Sequence, residues 1–216
     1  MIDLVPARLD EIALLGAHCD DIAIGMGATL LTLTRRRPGL RVRALVLSGG
    51  ATTRADEERT ALGAFCVNAD LESTVLDIPD GRAPAHWDQV KTALAQFRRG
   101  TDPDIVFAPQ RGDAHQDHRL LAELATTEFR DHLILGYEIL KWETDTPRPA
   151  LLHPVSPETA AEKARLLAEC YPSQSGRDWF DDEAFLGLAR IRGVQCHAAY
   201  AEGFELTKAV LDFGGA

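Results

Sequence analysis

The sequence has few cysteines, and no two of them form a C-x-x-C pair. Cys19, Cys66, Cys170 and Cys196 are scattered along the 216 residues. Disulfide frameworks and structural zinc sites use cysteines at short, regular spacings, so we expect neither here. We interpret the four residues as reduced thiols, which are typical of a cytoplasmic protein.

Long hydrophobic runs and an excess of positive charge are also missing. No apolar run approaches the ~20 residues that a membrane-spanning helix needs. Asp3, Asp10 and Glu11 near the N-terminus argue against a signal peptide. With 23 basic and 33 acidic residues, the formal net charge of -10 repels phosphate backbones. We therefore expect neither a membrane nor a nucleic-acid partner, while the oligomeric state stays open.

The composition and the hydrophobic pattern predict a single α/β domain over residues 1–216. Strand-like and helix-like segments alternate through the first two-thirds of the chain, which is typical of a Rossmann-like, mostly parallel sheet with helices on both faces. The predicted strands are 12–16, 41–47, 73–78, 104–109 and 133–140. The predicted helices between them are 24–37, 55–67, 87–99 and 113–129.

The remaining third predicts a C-terminal extension of helices and loops. Residues 142–156 contain three prolines and are predicted to form a long connection. Two helices are expected at 157–170 and 181–190, followed by a strand or covering segment at 199–206.

An imidazole and two carboxylates follow the first predicted strand, in the sequence His18-Cys19-Asp20-Asp21. Parallel sheets bind ligands at the carboxyl ends of their strands. His18 can bind a divalent metal, one carboxylate can complete part of the metal sphere, and the other can act as a base on a metal-bound water. The alternative is structural, with Asp20 or Asp21 capping the next helix and His18 hydrogen-bonded at the strand end.

A second polar cluster, His115-Gln116-Asp117-His118, follows the strand predicted at 104–109. Asp113 and Gln116 fit a capping box, which would place His115 and His118 one turn apart on the same side of a helix. The alternative is a solvated helix start whose histidines have no role. Because both clusters follow strands of one parallel sheet, we expect them to open onto the same edge and to form a metal site together.

The residues A-H-C-D-D, then G-M-G-A-T-L, and later D-A-H-Q-D-H resemble the PIG-L/LmbE family of zinc-dependent de-N-acetylases. Members of that family carry A-H-P-D-D-E, G-x-G-G-T and H-x-D-H. The resemblance covers most of the chain. It departs at Cys19, where the family has proline, and at Ile22, where the family has glutamate.

The resemblance implies a metal centre held by His18, Asp21 and His118. Zinc would be the ion, although Fe²⁺ or another divalent metal suits the same donors. Two imidazoles and one carboxylate leave a coordination position open for water, as in catalytic zinc sites.

The resemblance also implies roles for residues around the metal. Asp20 would be the general base on the metal-bound water. His115 would be a positively charged group that stabilises the oxyanion, and Asp117 would orient or tune that histidine. Arg54 would lie near the substrate.

By the same resemblance, the expected activity is removal of the N-acetyl group from an N-acetylated amino sugar or its glycoconjugate, which releases acetate and a free amine. Three alternatives stay open. The chain could be an amidase for a larger sugar-thiol conjugate, or a non-haem iron oxygenase using His18, Asp20 and His118. It could also be a Rossmann-like binding module without turnover.

Two C-terminal segments are candidates for the substrate site. Aromatic faces stack on pyranose rings, so residues 141–143, with a central tryptophan, would help line a sugar site. Gln174, Trp179 and Phe180 would form a cover over it. The alternative for residues 141–143 is a strand end with an interfacial tryptophan, and a purely structural role is likewise the alternative for the second segment.

Overall fold

A seven-stranded sheet organises the computed structural model, which describes residues 3–211. The strands lie in the order β3-β2-β1-β4-β5-β7-β6. Their bounds are β1 Glu11–Gly16, β2 Arg41–Val46, β3 Asp70–Val75, β4 Ile105–Pro109, β5 Leu133–Tyr137, β6 Leu151–Val155 and β7 Tyr200–Leu206. The six α-helices are α1 Asp21–Arg36, α2 Arg54–Phe65, α3 Trp87–Arg99, α4 Gln116–Glu128, α5 Pro157–Cys170 and α6 Asp182–Gln195. The assignment of one domain to residues 1–216 extends past the described residues and stays a prediction.

The first five strands pair with one another in parallel, which confirms the predicted Rossmann-like α/β fold. All six residues of β1 are buried, because helices cover both faces of the sheet. Successive side chains of a strand point to opposite faces. Ile12 and Leu14 accordingly pack into one hydrophobic cluster, whereas Ala13 and Leu15 pack into another on the far side.

The connection predicted at 142–156 was wrong in its second half, where the structure has strand β6. This strand pairs antiparallel with β7, which itself pairs antiparallel with β5. Pro154 lies within β6. Proline lacks the N–H that a central strand must donate, but β6 is at the edge of the sheet, where that loss is tolerated. The strand alternative for 199–206 is confirmed as β7.

Helix α1 starts at Asp21 rather than at the predicted Ile24, and it is kinked at Met26 (φ -147°, ψ 20°). The groups freed by the kink are satisfied by side chains from other elements. Glu202 accepts hydrogen bonds from the backbone N–H groups of residues 28 and 29, at 3.1 and 2.7 Å. Lys163 donates to the carbonyl of Ile24 at 2.6 Å and pairs with Glu202 at 2.6 Å. The kinked segment of α1 is thereby fixed against β7 and α5.

The packing of α1 on the sheet requires a glycine next to the kink. A Cβ added at Gly25 would lie 2.2 Å from the ring of Tyr137, so only glycine allows this close approach of α1 to β5. Within residues 3–211, no helix has both the length and the apolar character required to cross a membrane.

Candidate metal and catalytic site

The two polar clusters meet at the carboxyl edge of the parallel sheet. Strands β1 and β4 are neighbours there, and the segments that follow them carry His18 and the pair His115 and His118. The three ring centroids lie 4.6 to 4.9 Å from one another. Residues almost one hundred positions apart are therefore in direct contact.

The three predicted metal ligands face one another. Nδ1 of His18 lies 3.0 Å from Nε2 of His118, and the Asp21 oxygens lie 3.3 Å from His118 Nε2 and 3.7 Å from His18 Nδ1. Donors bound at 2.0–2.1 Å to one tetrahedral ion are about 3.4 Å apart. The observed spacings, measured to the two oxygens of Asp21, are close to that value, so these residues fit a divalent metal ion.

Two other groupings offer converging donors, namely His18 with His115 and His118, and His18 with Asp80 and Asp117. We favour Asp21 as the carboxylate ligand. Its side chain is buried and contacts two imidazoles, whereas the Asp80 side chain is 80% exposed. Asp21 is also held in place by its own loop, because its Oδ2 accepts hydrogen bonds from the backbone N–H groups of residues 17 and 18.

The carboxylates in this cluster attract positive charge. Burial opposes protonation of His18, but hydrogen bonds to Asp117 and Asp21 outweigh it and raise the pKa of the ring to about 12. Burial is likewise outweighed at His118, where Asp21 and Asp113 raise the pKa to about 9. The Asp21 carboxyl is buried, yet the imidazoles hold its pKa well below its usual range. The carboxylates therefore favour positive charge at this place, and a divalent ion would supply it.

Asp113 supports His118 from behind and does not start the helix, so the predicted capping box was wrong. Helix α4 begins at Gln116, with His115 as its N-cap. Asp113 Oδ2 lies 3.0 Å from His118 Nδ1 and 3.0 Å from Lys141 Nζ. A carboxylate behind a metal-binding histidine is a common way to fix the orientation of the ring.

The structure favours a neutral His115. Its Nδ1 accepts a hydrogen bond from the backbone N–H of Asp117 at 3.3 Å. Burial lowers the pKa of the ring, and the nearby His118 and His18 lower it further. A neutral ring whose Nδ1 accepts carries its proton on Nε2, so His115 can donate a hydrogen bond from that atom, and the positive charge expected from the sequence stays a prediction.

The Asp117 side chain contacts the ring of His18, whereas the His115 ring is bonded only by the Asp117 backbone N–H. Its Oδ2 lies 3.3 Å from His18 Nε2, and its oxygens accept hydrogen bonds from the N–H groups of Gly81 and Ala83. This arrangement fixes the loop after β3 beside the centre. It also brings Asp80, which the sequence reasoning missed, to 3.1 Å from His18 Nε2. The sequence feature that could have identified Asp80 is an Asp-Gly turn after a parallel strand.

Asp20 has an unusual backbone conformation, with a φ of 103° in the left-handed region. Its side chain makes no helix-capping hydrogen bond, contrary to the structural alternative. Instead, Arg54 donates to Asp20 Oδ2 at 2.7 Å and to the carbonyl of Cys19. Burial raises the pKa of the Asp20 carboxyl to about 6, although Arg54 acts in the opposite direction. A carboxylate that titrates near neutral pH suits a general base.

Glu58 is a second residue that the sequence reasoning missed. It lies fully buried beneath Asp20, and its Oε2 accepts hydrogen bonds from the backbone N–H of Asp20 at 2.9 Å and from the Tyr171 hydroxyl at 2.7 Å. Within residues 3–211, its Oε1 has no hydrogen-bond partner. Burial raises the pKa of this carboxyl to about 7. The sequence feature that indicates such a residue is an acidic side chain on the buried face of α2, which also carries Ala55, Leu62 and Phe65.

The two positions that depart from the family motif are buried. Ile22 is wholly within the hydrophobic core, so an apolar side chain suits this site. The thiol of Cys19 donates to the carbonyl of Ser48 at 3.4 Å. The departures therefore change packing without removing a group that faces the three histidines.

An open cavity of about 700 Å³ adjoins the centre. Its walls include the predicted metal ligands, Arg54 and Asp80, together with residues 139–143 and Gln174, Arg177 and Trp179 from the C-terminal third. Phe180 does not line the cavity but packs behind Trp179, with ring centroids 5.5 Å apart.

The fold and the site define an α/β enzyme with a candidate metal centre at the carboxyl edge of a parallel sheet. The family model described as "PIG-L: GlcNAc-PI de-N-acetylase" matches residues 13–129. "Uncharacterized deacetylase YaiS" of Escherichia coli (strain K12) is 30% identical in an alignment of 136 residues. This alignment covers 57% of this chain and 71% of that protein. The chain belongs to the PIG-L family and is an enzyme of the deacetylase class, which acts on amide bonds.

Solved structures share the fold at low sequence identity. N,N'-diacetylchitobiose deacetylase from Pyrococcus horikoshii superposes with a TM-score of 0.72 at 20% identity, covering 92% of this chain and 84% of that chain. GalB, the 4-carboxy-2-hydroxymuconate hydratase of Pseudomonas putida KT2440, superposes with a TM-score of 0.73 at 18% identity. The match covers 96% of this chain and 100% of GalB. Because these neighbours perform different reactions, the fold alone does not determine the chemistry.

Proposed function

We propose that this enzyme is a zinc-dependent hydrolase that removes the N-acetyl group from an N-acetylated amino sugar or its glycoconjugate. The observation that carries the proposal is the convergence of His18, Asp21 and His118 within 3.0 to 3.7 Å, beside a buried second carboxylate, Asp20. The de-N-acetylase activity for which the family is described and the deacetylase activity of the Pyrococcus neighbour support the amide of an amino sugar as substrate.

His18, Asp21 and His118 would hold the zinc ion. When bound, the ion would polarise the acetamide carbonyl and lower the pKa of a water molecule towards ~7. Asp113, behind His118, would keep that ring in the orientation that binding needs.

Asp20 would take the proton from the attacking water. Arg54 occupies its Oδ2, while its Oδ1 accepts no hydrogen bond from the residues that the structure describes. The raised pKa of Asp20 makes the carboxylate a better proton acceptor than an ordinary aspartate at neutral pH. His115 would donate from Nε2 to the oxygen of the amide as it becomes negative, a contribution of roughly 3–4 kcal/mol for one donor. The proton is then passed to the departing amine, so that water and amide give acetate and a free amine.

The setting that we propose is the cytoplasm. All four cysteines are free, which is consistent with a reducing compartment. A larger sugar-thiol conjugate stays an alternative substrate, because the cavity of about 700 Å³ is large enough for more than one ring. Membership of the deacetylase family argues against the iron oxygenase and the inactive binding module.

The test is acetate release from N-acetyl sugars that are free, nucleotide-linked and glycoside-linked, each with and without added zinc. We expect Asp20→Asn to bind zinc with unchanged stoichiometry and to lose roughly 100-fold or more in kcat. Asp56→Asn is the matched control, since the Asp56 side chain is 82% exposed and, among residues 3–211, forms an ion pair with Arg59 alone. Full activity of Asp20→Asn would contradict the assignment of the base.

A further inference from the structure

Two C-terminal segments meet through a pair of tryptophans at the wall of the cavity. Trp142 follows β5, and Trp179 lies between α5 and α6. Their ring centroids are 5.8 Å apart with an interplanar angle of 67°, and both residues line the cavity that contains the candidate metal centre. The contact closes one side of that cavity with aromatic surface.

The indole of Trp142 is exposed but held in one orientation. Its Nε1 donates a hydrogen bond to Asp178 at 2.9 Å, and one side of the ring packs against Trp179. Trp179 in turn contacts Phe180, which contacts the buried Phe185, with centroids 5.5 and 5.1 Å apart. A chain of edge-to-face contacts therefore connects an indole that is 62% exposed to the hydrophobic core.

A fixed, exposed aromatic ring is a prepared binding surface. Leaving so much apolar area in water is unfavourable, and binding a ligand there removes it without ordering a mobile side chain. The negative face of the indole attracts the weakly positive C–H groups of a pyranose ring. Hydrogen-bonding groups for sugar hydroxyls lie on the same walls, including Glu143 and Arg177. Among residues 3–211, the Arg177 side chain forms neither a hydrogen bond nor an ion pair, so its guanidinium is free to bind a ligand.

We propose that Trp142, supported by Trp179, forms a second carbohydrate subsite that binds the sugar ring next to the N-acetylated one. This inference rests on the proposed deacetylase function. It predicts a preference for substrates with at least two rings over free N-acetyl monosaccharides, because the second ring adds contact with the indole. The cavity is continuous between the two places.

The test compares N-acetylglucosamine with N,N'-diacetylchitobiose as probes. We expect Trp142→Ala to lower kcat/KM for the disaccharide about tenfold more than for the monosaccharide, mainly through KM. Trp142→Phe, which keeps an aromatic face, should recover much of this loss. Trp87→Ala is the control, because Trp87 is 45% exposed on α3 and is not among the residues that line the cavity. Equal losses on both probes, or no loss on either, would overturn the subsite.

Binding measured by calorimetry separates failure of the subsite from failure of the proposed function. If wild-type protein releases no acetate but binds the disaccharide more weakly after Trp142→Ala, the subsite stands and the hydrolase proposal fails. If neither probe binds wild-type protein, both proposals are wrong. A change of oligomeric state in Trp142→Ala, seen by light scattering, would mean that the tryptophan contacts another copy of the chain, and this also overturns the subsite.

Discussion

The buried Glu58 makes a quantitative prediction about stability and pH. Its pKa is raised from 4.5 to about 7 because folding buries the carboxyl. A raised pKa means that folding favours the protonated acid, so the group's contribution is fully present below pH 4.5 and is lost as the pH rises through about 7. At about 1.36 kcal/mol per pKa unit, the full cost of ionisation is about 3 kcal/mol, of which about 2.5 kcal/mol falls between pH 5 and pH 8.

The perturbation that isolates this cost is Glu58→Gln. Glutamine matches the size of the protonated acid, and its amide oxygen can still accept the hydrogen bond from the Asp20 N–H. Stability should be measured by urea unfolding of the metal-free protein at pH 5 and pH 8. We expect the variant to gain about 2.5 kcal/mol on wild type between these two values.

Its neighbour Glu57 provides the matched control. Burial is outweighed there by hydrogen bonds from Ser173 and by Arg54, so the pKa of Glu57 is lowered. Glu57 is therefore mostly ionised from pH 5 to pH 8 in both the folded and the unfolded state, and Glu57→Gln should differ from wild type by a nearly constant amount over that range. The reasoning is refuted if the Glu58→Gln difference is equally constant.

Three further predictions concern the site and the helix that carries it. Arg54→Met should move the acid limb of the pH–kcat profile to higher pH, because the guanidinium lowers the pKa of Asp20; an unmoved limb would show that Asp20 is not the titrating base. Asp113→Asn should weaken zinc binding about 10- to 100-fold in a competition titration by disturbing the support of His118, and unchanged affinity would contradict that role. Gly25→Ala should lower the unfolding free energy by about 1–3 kcal/mol or more, since its Cβ would collide with a tyrosine ring of β5; an unaltered melting temperature would show that α1 can shift at no cost.

The parallel part of the fold was predictable because its signals are local. Strands β1, β4 and β5 are short apolar runs, and a helical pattern follows each of the first four strands, which predicts right-handed crossovers into one sheet. Strand β3 is polar, and it begins three residues before the predicted start at residue 73. The same reasoning predicted that the segments after β1 and β4 meet, since carboxyl ends of parallel strands share an edge. Strand β6 was missed because Pro154 argues against a strand unless the strand is known to lie at an edge.

The parts of the site that were missed depend on contacts between distant residues. Glu58 lies beside the site only because α2 packs below the loop that carries Asp20. Its other hydrogen-bond partner, Tyr171, follows the end of α5. Asp80 reaches His18 only because Asp117 fixes the intervening loop. No local sequence pattern predicts contacts between such distant residues. The two motifs can therefore be recognised in the sequence, but the residues that surround them cannot.

The central claim is that zinc at His18, Asp21 and His118 is required for deacetylation. The most direct measurement is a zinc titration of metal-free protein in which bound zinc and acetate release from an N-acetylated amino sugar are followed together. We predict that activity rises in proportion to bound zinc up to one ion per chain, and that His118→Ala shows neither tight binding nor activity. Full acetate release by the metal-free enzyme would contradict the account.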